Sequence, residues 1–146
     1  MILWRVSRFE DLKGIGGLRS PGRWHTAGRP IVYLAESPAG ALLEVCVHTA
    51  SNDIPPDFTL LQVEGLDVPV PMIDPDKLPP DWNTKAKVTQ DIGDQWLASS
   101  GSVLLRVPSV IVPNTFNLLL NPLHPQATEF KILQVAVYPF DVRLKQ

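Results

Sequence analysis

The chain has 146 residues, a formal charge of −2 with a pI near 5.9, and 45% hydrophobic residues. That length suits one domain, residues 1–146, with a real core, and that apolar share excludes a disordered chain. Its 13 Lys and Arg are scattered without a basic block, and Cys46 is its one cysteine, which argues against a nucleic-acid binder, an intrachain disulfide and a multi-cysteine zinc site.

The opening "MILWRVSRFED" is charged too soon to be a signal peptide. No stretch approaches the roughly 18 uninterrupted apolar residues of a membrane span. With a lone cysteine that fits a reducing compartment, the expectation is a soluble, cytoplasmic protein. "ILWRVSR" predicts a first strand, Leu3, Arg5 and Ser7 alternating with Trp4, Val6 and Arg8. "EDLKGIGGLRSPGRWHTAGRP" has five glycines and two prolines, too many for long regular structure. "IVYLA" reads as a short buried strand. Ser37 followed by Pro38 marks a helix start, a hydroxyl to cap free N–H groups and a ring that needs none, with the helix running to about His48.

"DFTLLQVEG" is a further strand. Seven prolines fall between Ile54 and Trp82, favouring extended chain and turns, either an ordered arm or a flexible flap. "VTQDIGDQWLASSG" predicts a weak helix closing on Gly101, and "SVLLRVPSVIVP", "FNLLL" and "ILQVAVYPFDVRL" give three more strands. The expected class is α+β: a mixed, largely antiparallel sheet with a few helices.

Several familiar sites are struck out. "GIGGLR" begins like a dinucleotide fingerprint, but Arg19 stands where the third glycine should be, and no strand-loop-helix surrounds it. His25, His48 and His124 lack a paired metal-ligand spacing, so no metal is expected. Cys46 lies in the apolar half of its helix and reads as core. What remains is polar groups in apolar places. Arg23 follows Gly22 in a flexible stretch, Tyr33 is mid-strand, and Glu44 interrupts "ALLEVCV". Ser109 lies between apolar strands, and Asn121 and His124 occupy the turn "NPLHP". Each has a plain alternative: a surface pair for Arg23, core for Tyr33, a solvated face for Glu44, a strand-edge hydroxyl for Ser109, and a simple turn for the last two.

Together, "GRWHTAGRPIVYLAESPAGALLEVCVH", "GDQWL", "VPSVIVP" and "NLLLNPLHP" resemble the RES-domain toxins of bacterial RES/Xre-type toxin–antitoxin pairs, a family named for its Arg, Glu and Ser. The likeness runs from about Leu3 to Tyr138 and is strongest from Gly22 to His48. It implies a fold related to the diphtheria-toxin-like ADP-ribosyltransferases and action on NAD+ as a substrate, with no other cofactor. NAD+ would be cleaved at the nicotinamide–ribose bond by hydrolysis or, alternatively, by ADP-ribose transfer to a protein. The family's residues fall at Arg23, Tyr33, Glu44 and Ser109, with Asn121 and His124 in the closing turn. Pro21 stands where many members have glycine, which bears on the reach of the loop. Cleaving a glycosidic C–N bond develops positive charge on the ribose, which suits a carboxylate such as Glu44 beside the sugar. Arg23 suits the diphosphate or a ribose-linked phosphate, Tyr33 a nicotinamide ring, and Ser109 a ribose hydroxyl or the carboxamide. Trp24 and His25 are expected to line the same mouth. The resemblance also implies an antitoxin, with a helix-turn-helix DNA-binding part, that plugs the cleft. A homodimer is compatible with a chain of this size. A rival reading is a non-enzymatic module docking through the segment from Ile54 to Trp82.

Overall fold

Alternating apolar residues build the sheet that carries the rest of the molecule. A computed structural model describes residues 1–145. The strands are β1 (Ile2–Val6), β2 (Val32–Ala35), β3 (Asp57–Glu64), β4 (Leu104–Pro108), β5 (Phe116–Leu120) and β6 (Lys131–Pro139). They form one six-stranded sheet in the order β4-β5-β2-β1-β3-β6, and every neighbouring pair is antiparallel. The helices are α1 (Gly16–Arg19), α2 (Pro38–His48) and α3 (Ala86–Ser99). The α+β class and the antiparallel sheet are as the sequence predicts.

The period of two along a strand divides the core into two layers. Val32 and Leu34 of β2 join Leu3, Leu61, Val63, Leu118 and Leu120 on one side. Leu105, Val107 and Leu119 face the other side with Trp24, Ile31, Trp96 and Leu97, and Tyr33 packs there. Tyr33 therefore points toward α3 because its two strand neighbours point away.

The seams of the sheet are unequal. Val32–Ala35 pairs along its length with Leu120–Asn117, and Ile2–Val6 with Glu64–Leu60. Between β1 and β2, the paired residues among those described are Trp4 and Ala35 alone. The sheet thus behaves as two half-sheets, β4-β5-β2 and β1-β3-β6, parting beyond one bridge.

Helix α2 lies over that parting, against β1 and β2. It starts as its sequence demands: the Ser37 hydroxyl accepts the Gly40 N–H at 3.0 Å, and Pro38 takes the first turn, where no donor is needed. Helix α3 ends one residue before its expected stop. Ser100 takes the left-handed conformation (φ 50°) and donates its N–H to the Trp96 carbonyl, so Gly101 lies just outside.

Of the two alternatives for the proline-rich segment, the structure has the ordered arm. The backbone of residues 71–73 pairs with Arg106 on the outer edge of β4, through Ile73 N–H to Arg106 O and Arg106 N–H to Pro71 O, both 2.9 Å. Val68 and Val70 pack on one core layer and Ile73, Leu78 and Trp82 on the other. These five apolar groups of the arm are engaged in the core, while Met72 stays exposed. Among the described residues, no helix is long and apolar enough to cross a membrane.

Candidate active site

Where β1 and β2 part beneath α2, a cavity of about 590 Å³ opens, lined among others by Arg5, Arg23, Trp24, Tyr33, Glu44 and Asn117. Glu44 enters it from the underside of α2. Its side chain is 32% exposed, so the apolar run around it does not bury the charge outright. One turn later His48 stands at the rim, its Nε2 3.9 Å from Glu44 Oε2, beyond hydrogen-bond reach.

The two carboxylate oxygens of Glu44 are treated differently. Asn117 Nδ2 donates to Oε1 at 2.8 Å, and Ser109 Oγ donates to the same oxygen at 3.3 Å. Ser109 Oγ in turn accepts the N–H groups of Ile111 (3.1 Å) and Val112 (3.4 Å), so its one proton is directed at the carboxylate. Oε2 takes neither bond. The carboxylate is thus anchored through one oxygen and offers the other to a ligand. Asn117 can reach it because β5 sets Asn117 opposite Ala35, a residue with no bulk to block the path.

The loop bearing Arg23 is a tight reversal, with Gly22 N–H donating to His25 O at 3.1 Å. A Cβ on Gly22 would lie 2.5 Å from the Tyr33 hydroxyl, closer than real atoms approach, so glycine is required there. The Trp24 N–H donates to that hydroxyl at 3.1 Å. His25 is buried, with Nε2 3.0 Å from Ser20 O and Nδ1 2.8 Å from Tyr33 Oη. A carbonyl can only accept, so Nε2 carries the proton, and Nδ1 accepts the phenol proton. Burial pushes the Tyr33 pKa far above the ordinary phenol range. The Trp24 N–H works against that shift, and the charge of Asp94 adds to it. The hydroxyl is held between Trp24 and His25, and Tyr33 lines the cavity.

Arg5 and Arg23 both line the cavity, and neither forms an ion pair among the described residues. Burial lowers the Arg5 pKa, with Asp11 opposing the shift, yet a guanidinium stays charged. Two such groups beside a cavity suit an anionic ligand.

The structure brings Arg23, Trp24, Tyr33 and Glu44 to one cavity. Ser109 comes with them, but behind Glu44, its proton committed to the carboxylate instead of a ribose hydroxyl. His25 is a correction, since it backs Tyr33 and does not line the cavity. Asn121 and His124 are corrections too. Asn121 Oδ1 accepts the Leu123 N–H and its Nδ2 reaches Leu97 O, while His124 Nδ1 accepts the Gln126 N–H. Both fix their turn, away from the cavity lining. Arg5 and Asn117 were missed, although each is a polar residue among apolar strand neighbours. Among the described residues, no three His, Cys, Asp or Glu side chains gather as metal ligands would.

The family model described as RES domain matches residues 2–143. The chain belongs to the RES domain family. Its RES relatives include the protein named Toxin Res of Pseudomonas putida, 47% identical over 146 residues and covering 99% of each chain. Another, from a Sphingobium species, is named Prs ADP-ribosylating toxin and is 37% identical over 97% of this chain and 94% of its own. Among solved structures, a chain of the MbcT-MbcA toxin–antitoxin complex of M. tuberculosis superposes with a TM-score of 0.74 over 99% of this chain and 86% of its own. At 17% identity that likeness establishes a shared fold for this RES chain.

Proposed function

We propose that this RES protein is the toxin of a toxin–antitoxin pair and that it hydrolyses NAD+ at the nicotinamide–ribose bond. One observation carries the reading: an anchored carboxylate, a phenol ring and two guanidinium groups without ion-pair partners among the described residues share one cavity. In the reaction the C–N bond breaks with its electron pair going to nicotinamide, which leaves as a neutral group and needs no general acid. Positive charge spreads over the ribose, where Glu44 Oε2 stabilises it and bonds a ribose hydroxyl. Water adds at the same carbon and loses a proton, giving ADP-ribose. Arg23 and Arg5 hold the diphosphate, and the Tyr33 ring, fixed by its hydroxyl, packs against nicotinamide and restricts its pose.

The names of the relatives support the toxin role, and a solved chain of this fold comes from a toxin–antitoxin complex. A cognate antitoxin that occludes the cavity follows from this reading. DNA contact through a helix-turn-helix part would belong to that partner. The name of the Sphingobium relative favours a second reading, transfer of ADP-ribose to a protein. The same bond breaks in both, and the acceptor differs.

Purified protein given NAD+ labelled in the adenosine half, alone and with bacterial lysate protein as acceptor, separates these readings. Free labelled ADP-ribose with equimolar nicotinamide is the expected result, and label retained on a protein means transfer. NAD+ left intact overturns both and returns the non-enzymatic module. Glu44→Gln should lower nicotinamide release about a hundredfold or more, the scale of one well-placed electrostatic group.

A further inference from the structure

One face of α3 bonds directly to the Arg23 loop. Thr89, fully buried, donates its hydroxyl to the Arg23 carbonyl. Gln90 Nε2 donates to the Gly22 carbonyl at 3.0 Å. Asp94 accepts twice from Thr26, from the backbone N–H at 3.0 Å and from the hydroxyl at 2.7 Å. Between them Gly93 leaves no gap, since a Cβ there would fall 1.6 Å from the Trp24 carbonyl oxygen. Glycine inside a helix costs about 1 kcal/mol against alanine, and this contact explains it: helix and loop backbones touch. The four residues are spaced i, i+1, i+4 and i+5, one stripe of a helix. None lines the cavity.

We propose that this stripe, through Gln90 and Asp94 above all, is a positioning device that holds the Arg23 guanidinium where the ligand's diphosphate must arrive. The inference rests on the assignment of Arg23 to NAD+ binding. A loop with five glycines in its neighbourhood would sample many conformations, and binding would then bear the entropy of ordering it. Bonds from Thr89, Gln90 and Asp94 fix the carbonyls of residues 22 and 23 and the amide of residue 26, which bracket Arg23 and leave its side chain free. Gln90 and Asp94 are therefore positioning residues, acting on substrate through Arg23.

Asp94→Ala is the direct test, with Asp94→Asn as the conservative partner that can still accept the Thr26 N–H. If the stripe positions Arg23, Asp94→Ala raises KM for NAD+ about tenfold with kcat nearly unchanged, the scale of one charge-assisted hydrogen bond. Asp94→Asn recovers most of that loss. In an Arg23→Ala background, Asp94→Ala adds less than twofold, because the group it positions is gone. A merely structural role predicts otherwise: lower apparent kcat at unchanged KM, and full multiplication of the two losses. Either result overturns the proposal. Limited trypsin digestion supplies a readout that needs no NAD+ chemistry. Cleavage after Arg23 should accelerate in Asp94→Ala relative to cleavage after the exposed Arg19, and unchanged ratios would also overturn it. If wild-type protein releases no nicotinamide while the trypsin result holds, the function fails and the loop restraint stands.

Discussion

Tyr33 holds its hydroxyl against two buried residues, donating to His25 and accepting from Trp24. Removing the oxygen in Tyr33→Phe leaves a buried N–H and an imidazole nitrogen without partners, at a cost of about 1–3 kcal/mol. Urea titration at pH 7 checks this, and an unchanged midpoint would contradict the network. The raised pKa adds a pH signature. The unfolded phenol loses its proton near its ordinary value of 10.0, while the folded one holds on to higher pH. Above that point the native state binds more protons than the unfolded state, so stability falls as pH rises. Wild-type protein should lose stability from about pH 10 upward, and Tyr33→Phe should show a flatter profile.

Glu44 gives a second prediction at this scale. Asn117→Ala should lower kcat for NAD+ cleavage about tenfold with KM little changed, since it frees a carboxylate needed at one angle. Ser109→Ala should cost less, because its bond to Oε1 is 3.3 Å against 2.8 Å for Asn117. Steady-state kinetics of both variants checks the order, and a reversed ranking would mean that the hydroxyl itself touches substrate. Glu44 was legible in the sequence because a carboxylate in an apolar run asks for an explanation. The role of Ser109 was not, because it depends on β4 lying beside β5, where Asn117 holds the same carboxylate oxygen, and that needs the strand order. His25, Asn121 and His124 show the opposite failure: their residue types suit a site, but His25 and His124 satisfy groups close to them in the chain, and Asn121 bonds the backbone of Leu123 and Leu97.

At the scale of elements, α2 was the most legible part of the molecule. Its cap, proline and apolar run are local signals, and its limits match those expected. The cap also bears on the site, since it fixes the first turn of the helix that delivers Glu44. Ser37→Ala should remove the bond to Gly40 and cost about 1 kcal/mol, which lowers the melting temperature by roughly 3 °C in a chain of this size. Ser37→Asp should restore it, and calorimetry distinguishes the two. Helix α3 illustrates what stays hidden. Its residues "TQDIGD" form a weak periodic pattern, and their partners lie 66 to 68 positions earlier. Nothing local to a helix announces contacts that distant. The proline-rich strap is similar: prolines predict an extended chain, but pairing with Arg106 follows from where β4 comes to lie.

At the scale of the whole molecule, the cavity exists because the sheet is poorly stitched at its centre. Arg5 comes from β1 on one side of the parting, while Tyr33 from β2 and the Arg23 loop come from the other. Glu44 closes the top from α2. A ligand gripped by all of them joins the two half-sheets where their own backbones do not. Binding should therefore stabilise the fold globally, by about 2.7 kcal/mol at a concentration of 100 Kd, or an upward shift of roughly 5–10 °C in melting temperature. Glu44→Gln is the form to use, since it keeps the cavity while sparing the NAD+. Hydrogen exchange on the same sample should slow on both sides of the seam, in residues 2–6 and in residues 32–35. An additional Arg23→Ala should shrink the thermal shift. Protection confined to one half-sheet, or no shift with saturating NAD+, would mean that the dinucleotide does not bridge the parting, and the assignment of Arg5 and Arg23 to its diphosphate would fail with it.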